Sequence, residues 1–231
     1  MFKGTRGNTP KDQYEFQIEQ ELERLSHFYA FVDSEIAKTS IEWGKQITVE
    51  KDGDGEEQLV GPVDEVWKLK DYPQLLYSSI FIALYSFLEM HSIKLVKEFE
   101  INNGRKARST GFKCNLLRVF KKQHSSKLDG LNSLSKYLKT LGIDLKGTEI
   151  VFEKMDYYRN IRNALVHSGG YVKDEKKSRK LRVEIRKDDS LHYTIQNKAG
   201  GYITISKSKF LKDFGVFIPK FLDQIFSKLY P

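Results

Sequence analysis

From Arg159 to His167 the chain reads Arg-Asn-Ile-Arg-Asn-Ala-Leu-Val-His, which sets two guanidinium groups, two carboxamides and an imidazole within a short span. Arginine and asparagine donate to phosphate oxygens, and histidine can give or take a proton near neutrality. Such a set suits acid–base chemistry on a phosphodiester, and it equally suits holding one without cutting it. The surrounding residues repeat at helical spacing. Winding Val151 to His167 at about 100° per residue puts Val151, Met155, Tyr158, Ile161, Leu165 and Val166 on one apolar face, with Arg162 in its middle. A guanidinium there is costly unless something satisfies it. It could pair with Glu89 or another carboxylate, snorkel to the edge, or lie at a groove or interface. Arg159, Asn163 and His167 fall on a separate ridge at i, i+4 and i+8, flanked by Asp156 and Asn160. His167 lands in the last turn, where the carbonyl end of a helix favours a cation, and where a histidine also serves as a plain cap. On a straight helix Arg162 and His167 are about 140° apart, so the wheel predicts that one helix does not present both to one phosphate. A bend before His167, or a second subunit across a two-fold axis, would have to supply the geometry.

Several elements must frame this segment. Residues 12 to about 42 carry Phe16, Ile18, Leu22, Leu25, Phe28, Tyr29, Val32 and Ile36 at helical spacing and predict a long first helix. From Ile47 to Val60 the pattern alternates around Asp52-Gly53-Asp54-Gly55, which predicts an acidic hairpin inserted over residues 45–61. A second helix is expected from Pro73, at its first turn, to Glu100, apolar nearly all round its first half. Asn102, Asn103 and Gly104 should break it and leave Arg105 to Ser109 as a basic loop. A third helical region runs from Gly111 to Leu141, interrupted near Leu128-Asp129-Gly130. The fourth rises after Lys146 and stops at Gly169-Gly170. Together these predict an antiparallel helical bundle over residues 1–170. Beyond it the period alternates in 181–186, 191–196 and 202–206, so three short antiparallel strands are expected, then an amphipathic helix from Lys207 to Leu229. The fold class is therefore mainly α, with residues 171–231 as a β appendage and C-terminal helix packed on the bundle.

At 231 residues, 39% hydrophobic and 13% aromatic, the chain can bury a core, and its charges are interspersed with apolar residues, which excludes global disorder. A net charge of +8 favours a polyanionic partner. Between Ile101 and Leu128, Arg105, Lys106, Arg108, Lys113, Arg118, Lys121, Lys122 and Lys127 occur with no acidic residue, as a phosphate track or a solvated face. A lone cysteine, Cys114, excludes an intramolecular disulfide and fits a reducing, cytoplasmic setting. No signal core opens the chain. The apolar run Leu75 to Leu88 is shorter than the ~20 residues that span a bilayer and is closed by Glu89, so a membrane is not expected as a partner. His27, His91, Cys114, His124 and His192 lack zinc-site spacing, and no phosphate-cradling glycine loop occurs, so no metal or cofactor is expected.

The segment Arg162-Asn163-Ala164-Leu165-Val166-His167, followed by Ser168-Gly169-Gly170, resembles the R-polar-x3-H ribonuclease motif of the HEPN superfamily. The resemblance covers the helical part, about residues 10 to 170, and not the strands or the last helix. It implies a metal-independent endoribonuclease acting as a homodimer that brings two motifs into one cleft. On this chain His167 would be the general acid or base for attack of a ribose 2′-hydroxyl on the adjacent phosphodiester. Arg162 would stabilise charge building on the phosphoryl oxygens, and Asn163 would orient His167 or the phosphate. RNA would also meet Arg159, Asn160, Arg105, Lys106 and Arg108. Products would be a 2′,3′-cyclic phosphate and a 5′-hydroxyl end, and DNA should not be cut.

Some HEPN proteins are toxins silenced by a nucleotidyltransferase that modifies a tyrosine two residues after the motif histidine. This chain has Gly169 there and Tyr171 nearby, so an antitoxin or other regulatory protein would act differently. Two further classes stay open: a non-catalytic HEPN-like module that binds RNA, a nucleotide or a protein partner, and a scaffold with His167 as cap and Arg162 in an interface ion pair. Glu89 and His91, emerging from the apolar second helix, could face the same cleft, or Glu89 could be an arginine's buried partner.

Overall fold

The computed structural model describes residues 10–109, 131, 134–173, 179–197 and 200–230. In chain order its elements are α1 (Pro10–Gly44), β1 (Thr48–Lys51), β2 (Glu57–Val60), α2 (Val63–Ser109), α3 (Leu134–Thr140), α4 (Glu149–Ser168), β3 (Tyr171–Lys173), α5 (Arg179–Lys187), β4 (Leu191–Asn197), β5 (Gly200–Ile205) and α6 (Lys209–Leu229). The protein is mainly helical, with an antiparallel pair β1-β2 and an antiparallel sheet of order β3-β5-β4. Its chain groups into two compact units, Met1–Phe81 with Tyr171–Gly215, and Ile82–Gly170 with Val216–Pro231. Residue 170, where the sequence suggested a division, ends one of these stretches, but each unit is assembled from two separated pieces of chain.

In the first unit the helix over 12–42 and the hairpin within 45–61 form as the sequence predicts. Asp52 shapes the hairpin turn. Its Oδ1 accepts the backbone N–H groups of Asp54 and Glu56 at 3.0 and 2.9 Å, and its Oδ2 accepts the Gln58 amide at 2.9 Å. These donors, the Glu56 N–H first, hold its carboxyl below the usual carboxylate range. All residues of both strands are exposed. The unit's core is built from Ile18, Ile80, Phe81, Ile185, Ile203, Ile205, Phe210 and Phe214, with Phe81 edge-on to Phe210 and Phe214 at 5.1 and 5.0 Å.

The strands correct one expectation. Residues 181–186 alternate in hydropathy, yet they lie in helix α5. As a strand, Val183 would be buried beside Leu181 and Ile185; instead Val183 is 46% exposed while Ile185 is 1% exposed. Leu181 and Ile185 share one face at helical i, i+4 spacing, and Lys180 reaches Glu184 across one turn at 3.9 Å. The third strand is Tyr171–Lys173, too short to announce itself by periodicity, pairing with β5 through Tyr171↔Tyr202, Val172↔Gly201 and Lys173↔Gly200. Gly200 is required there. Any Cβ would stand 2.3 Å from the Val172 carbonyl oxygen, and its φ of +156° lies where side chains are strained.

Helix α2 corrects another. It begins at Val63, with Asp64 and Glu65 in its first turn, so Pro73 sits inside the helix and not at its start. It also runs through Asn102, Asn103 and Gly104 to Ser109, so Arg105–Ser109 is helical and not a loop. The ~1 kcal/mol propensity cost of a helical glycine is a weak prior that context overrides. Because Glu89 does not close the apolar stretch, Tyr72–Asn102 is long and apolar enough to cross a membrane by length and composition, against the shorter reading of Leu75–Leu88. Tyr77, Phe81, Tyr85, Leu88, Leu95 and Val96 along it are buried within the protein.

In the second unit, residues of α2 from Ile82 onward pack with α3, α4 and the end of α6 as a helical bundle. Phe152 and Tyr158 of α4 meet Phe221 and Phe217 of α6 at 5.5 and 5.1 Å, which makes those two helices antiparallel. Tyr137 of α3 donates to Glu100, and Phe99 meets Tyr230 at 5.7 Å. The proposed helix region from Gly111 to Leu141 is described only from Leu131; residues 110–130 lie outside the described residues.

Candidate active site

Helix α4 carries the motif. Its inner face buries Met155, Tyr157, Tyr158 and Ile161. Its C-terminus is fixed by Gly169, whose φ of 56° and ψ of 33° are left-handed, and by the Gly170 N–H, which donates to the Ala164 carbonyl at 2.8 Å. The helix therefore stays regular through His167.

Arg162 lies half-buried. Its guanidinium carbon stands 5.6 Å from the centroid of the Tyr85 ring on α2, and its Nε is buried with no hydrogen-bond partner among the described residues. Its Nη1 donates to Asn163 Oδ1 at 3.1 Å and stands 3.4 Å from His167 Nε2. Arg162 and His167 therefore meet on one unbent helix, which overturns the expectation drawn from the wheel. The wheel places Cβ atoms, whereas an arginine side chain is long enough to swing its guanidinium across the face and up a turn. Among the described residues no carboxylate comes within ion-pair distance of Arg162. Glu89, the partner suggested by the sequence, instead accepts the Leu131 N–H at 3.1 Å.

The contact fixes chemistry at His167. A guanidinium can only donate, so this contact is a hydrogen bond in the tautomer whose Nε2 carries the lone pair and whose Nδ1 carries the hydrogen. His167 is exposed, and Asn163 is half-buried, turning its oxygen to Arg162 and not to the imidazole.

The other predicted residues divide. Arg159 pairs its Nη1 with Asp156 Oδ1 at 2.9 Å, so on the ridge with Asn163 and His167 it already has an anion. Asn160 is exposed. Arg105, Lys106 and Arg108 fall in the last turns of α2, their side chains outside the described ones, as are Lys113, Arg118, Lys121, Lys122 and Lys127. His91 is buried with its ring 4.2 Å from Phe87. Among the described residues no three of His, Cys, Asp and Glu gather as a metal site. A shallow dimple lined by Val151, Phe152, Phe221 and Ile225, among others, lies at the opposite end of α4 and shares no residue with the cluster.

Sequence reasoning missed Tyr85. It sits in an apolar run where an aromatic at helical spacing reads as core, and at 2% exposure it is core. Burial first, then the charge of Glu89, pushes its phenol above the usual tyrosine range, while Arg159 and Arg162 pull the other way.

This is a mainly helical protein with two small antiparallel sheets among its described residues, whose candidate site is carried by one helix end and floored by a second helix. No family model, curated protein or solved structure matches the chain.

Proposed function

We propose that the chain is a metal-independent, HEPN-like endoribonuclease that acts as a homodimer. The observation that carries this reading is a half-buried arginine without a carboxylate among the described residues, pointing at a ring nitrogen of an exposed histidine. An uncompensated guanidinium favours an anion, and a phosphodiester offers one. When the phosphate arrives, Arg162 turns its Nη1 donor from His167 Nε2 to a non-bridging oxygen. The freed Nε2 lone pair then takes the proton of the 2′-hydroxyl as that oxygen attacks phosphorus. The bond to the 5′-oxygen breaks, leaving a 2′,3′-cyclic phosphate, and the 5′-oxygen takes a proton to become a hydroxyl. Arg162 stabilises the charge that builds on the phosphoryl oxygens.

One imidazole cannot accept the first proton and donate the second at the same moment. A two-fold partner supplies another His167 for the second role, and this replaces the helix-wheel argument for a dimer. Asn163 holds Arg162 between turns, while Asn160 and the cations of α2 offer further phosphate contacts. Unchecked cleavage of cellular RNA fits a cytoplasmic toxin or antiviral defence effector held by an antitoxin or other regulatory protein.

The test incubates purified protein with labelled RNA in EDTA, beside Arg162→Ala and His167→Ala variants. Cleavage leaving cyclic phosphate ends, lost in both variants and absent with DNA, is the expected result. Adding excess His167→Ala protein to the parent tests the dimer, since a mixed dimer keeps one of the two histidines the reaction needs and the activity should fall below that of the parent alone. RNA binding without cleavage would instead support a non-catalytic module, a reading favoured by the single acid–base side chain that one copy contributes.

A further inference from the structure

Tyr85 floors the cluster and takes no part in the steps above. Its ring lies under the Arg162 guanidinium at 5.6 Å, it is 2% exposed, and it comes from α2, far in sequence from the motif. One turn earlier on α4, Arg159 has a carboxylate at 2.9 Å. A carboxylate cancels the charge of its arginine and competes with any incoming phosphate. The face of an aromatic ring attracts a cation through its quadrupole and leaves the charge whole. An aliphatic residue there would leave a half-buried cation held only through Nη1, by Asn163 Oδ1 and His167 Nε2, and the rest of the guanidinium would turn out towards water.

We propose that Tyr85 is a positioning residue, whose ring face holds the Arg162 guanidinium where it can pass from His167 Nε2 to a phosphate oxygen with its full charge. Three observations agree with it. Arg162 Nε is buried and unpaired among the described residues, so no hydrogen bond there fixes the group. The nearby Glu89 turns an oxygen to the Leu131 N–H. Tyr85 also stays neutral, because burial and the Glu89 charge oppose its ionisation, so it adds no negative charge beneath Arg162. The catalytic consequence rests on the ribonuclease reading; the ring–guanidinium contact does not.

The experiment replaces Tyr85 in the full-length protein with phenylalanine and with phenylalanines bearing one, two and three ring fluorines, which drain the ring face of electrons at nearly constant shape. Tyr85→Phe should keep kcat within about twofold, and kcat should fall stepwise to about tenfold lower at three fluorines, with KM changing less. A purely structural role predicts a flat series, and a flat series overturns the proposal. Tyr85→Leu should fall below the whole series; the fluorinated variants carry the test if it does not fold. The Arg162 Nε–H resonance supplies a readout without RNA, expected upfield in the parent and moving with each fluorine. If the parent leaves RNA intact, the ribonuclease reading falls while this resonance still decides the contact. A resonance at the position of a free arginine, unmoved by fluorination, overturns it.

Discussion

Arg159 and Arg162 stand three residues apart on α4 and meet opposite surroundings. Arg159 lies beside Asp156 at 2.9 Å, whereas Arg162 lies over the neutral ring of Tyr85 and has no carboxylate among the described residues. The same side chain is thus held as a compensated ion at one position and as an uncompensated one at the other. Of the two, the second is the one that stands beside His167.

The widest separation should come from deleting each in turn. Arg162→Ala is expected to lower kcat by ~10²–10³-fold, as removal of one transition-state donor does, while Arg159→Ala changes it by less than about threefold. Steady-state kinetics on one RNA would break the comparison if the two losses were equal. Alkali tests the neutral ring. Because the Tyr85 phenol is held above the ~10 of a free tyrosine, the folded chain retains a proton that the unfolded chain releases. This part of the stability is intact below about pH 10 and is lost as pH rises through the folded value. Tyr85→Phe should therefore show a shallower decline in urea-unfolding stability above pH 10 than the parent. The parent keeps further raised phenols at Tyr137 and Tyr230, so the decline does not vanish.

A smaller effect should come from Asp156→Asn, which leaves Arg159 uncompensated. RNA binding should tighten by about threefold at low salt, and the salt slope should steepen by up to ~1, as one added phosphate contact requires. Unchanged binding across a salt titration would mean that Arg159 is turned away from the RNA. Folding stability should barely change in that variant, since a pair this exposed contributes at most ~1 kcal/mol.

Legibility in the sequence followed the range of the forces involved. The hairpin, α1, α6 and the end of α4 were readable because their signals are local: a turn aspartate, apolar periodicity and a glycine in left-handed conformation. The extent of α2 was not, because Pro73 and Gly104 are tolerated inside it at local costs of ~3 and ~1 kcal/mol that the context of a helix of 47 residues overrides. Residues 181–187 misled because alternation and an i, i+4 pair coincide in so short a segment, and only the exposure of Val183 separates them. At the site, the motif residues were visible one by one. Their meeting was hidden by the length of the arginine side chain, and Tyr85 by its distance along the chain.

The left-handed glycine after Ser168 has a consequence in time as well as in space. Helix ends open and close continually, and a histidine in a last turn would ordinarily share that motion. By tying the Gly170 N–H back to Ala164, the cap keeps the final turn wound, so the imidazole spends its time beside the guanidinium and not searching for it. Its effective concentration at the arginine is then set by side-chain rotation alone, which puts part of the entropy of assembling the pair into folding.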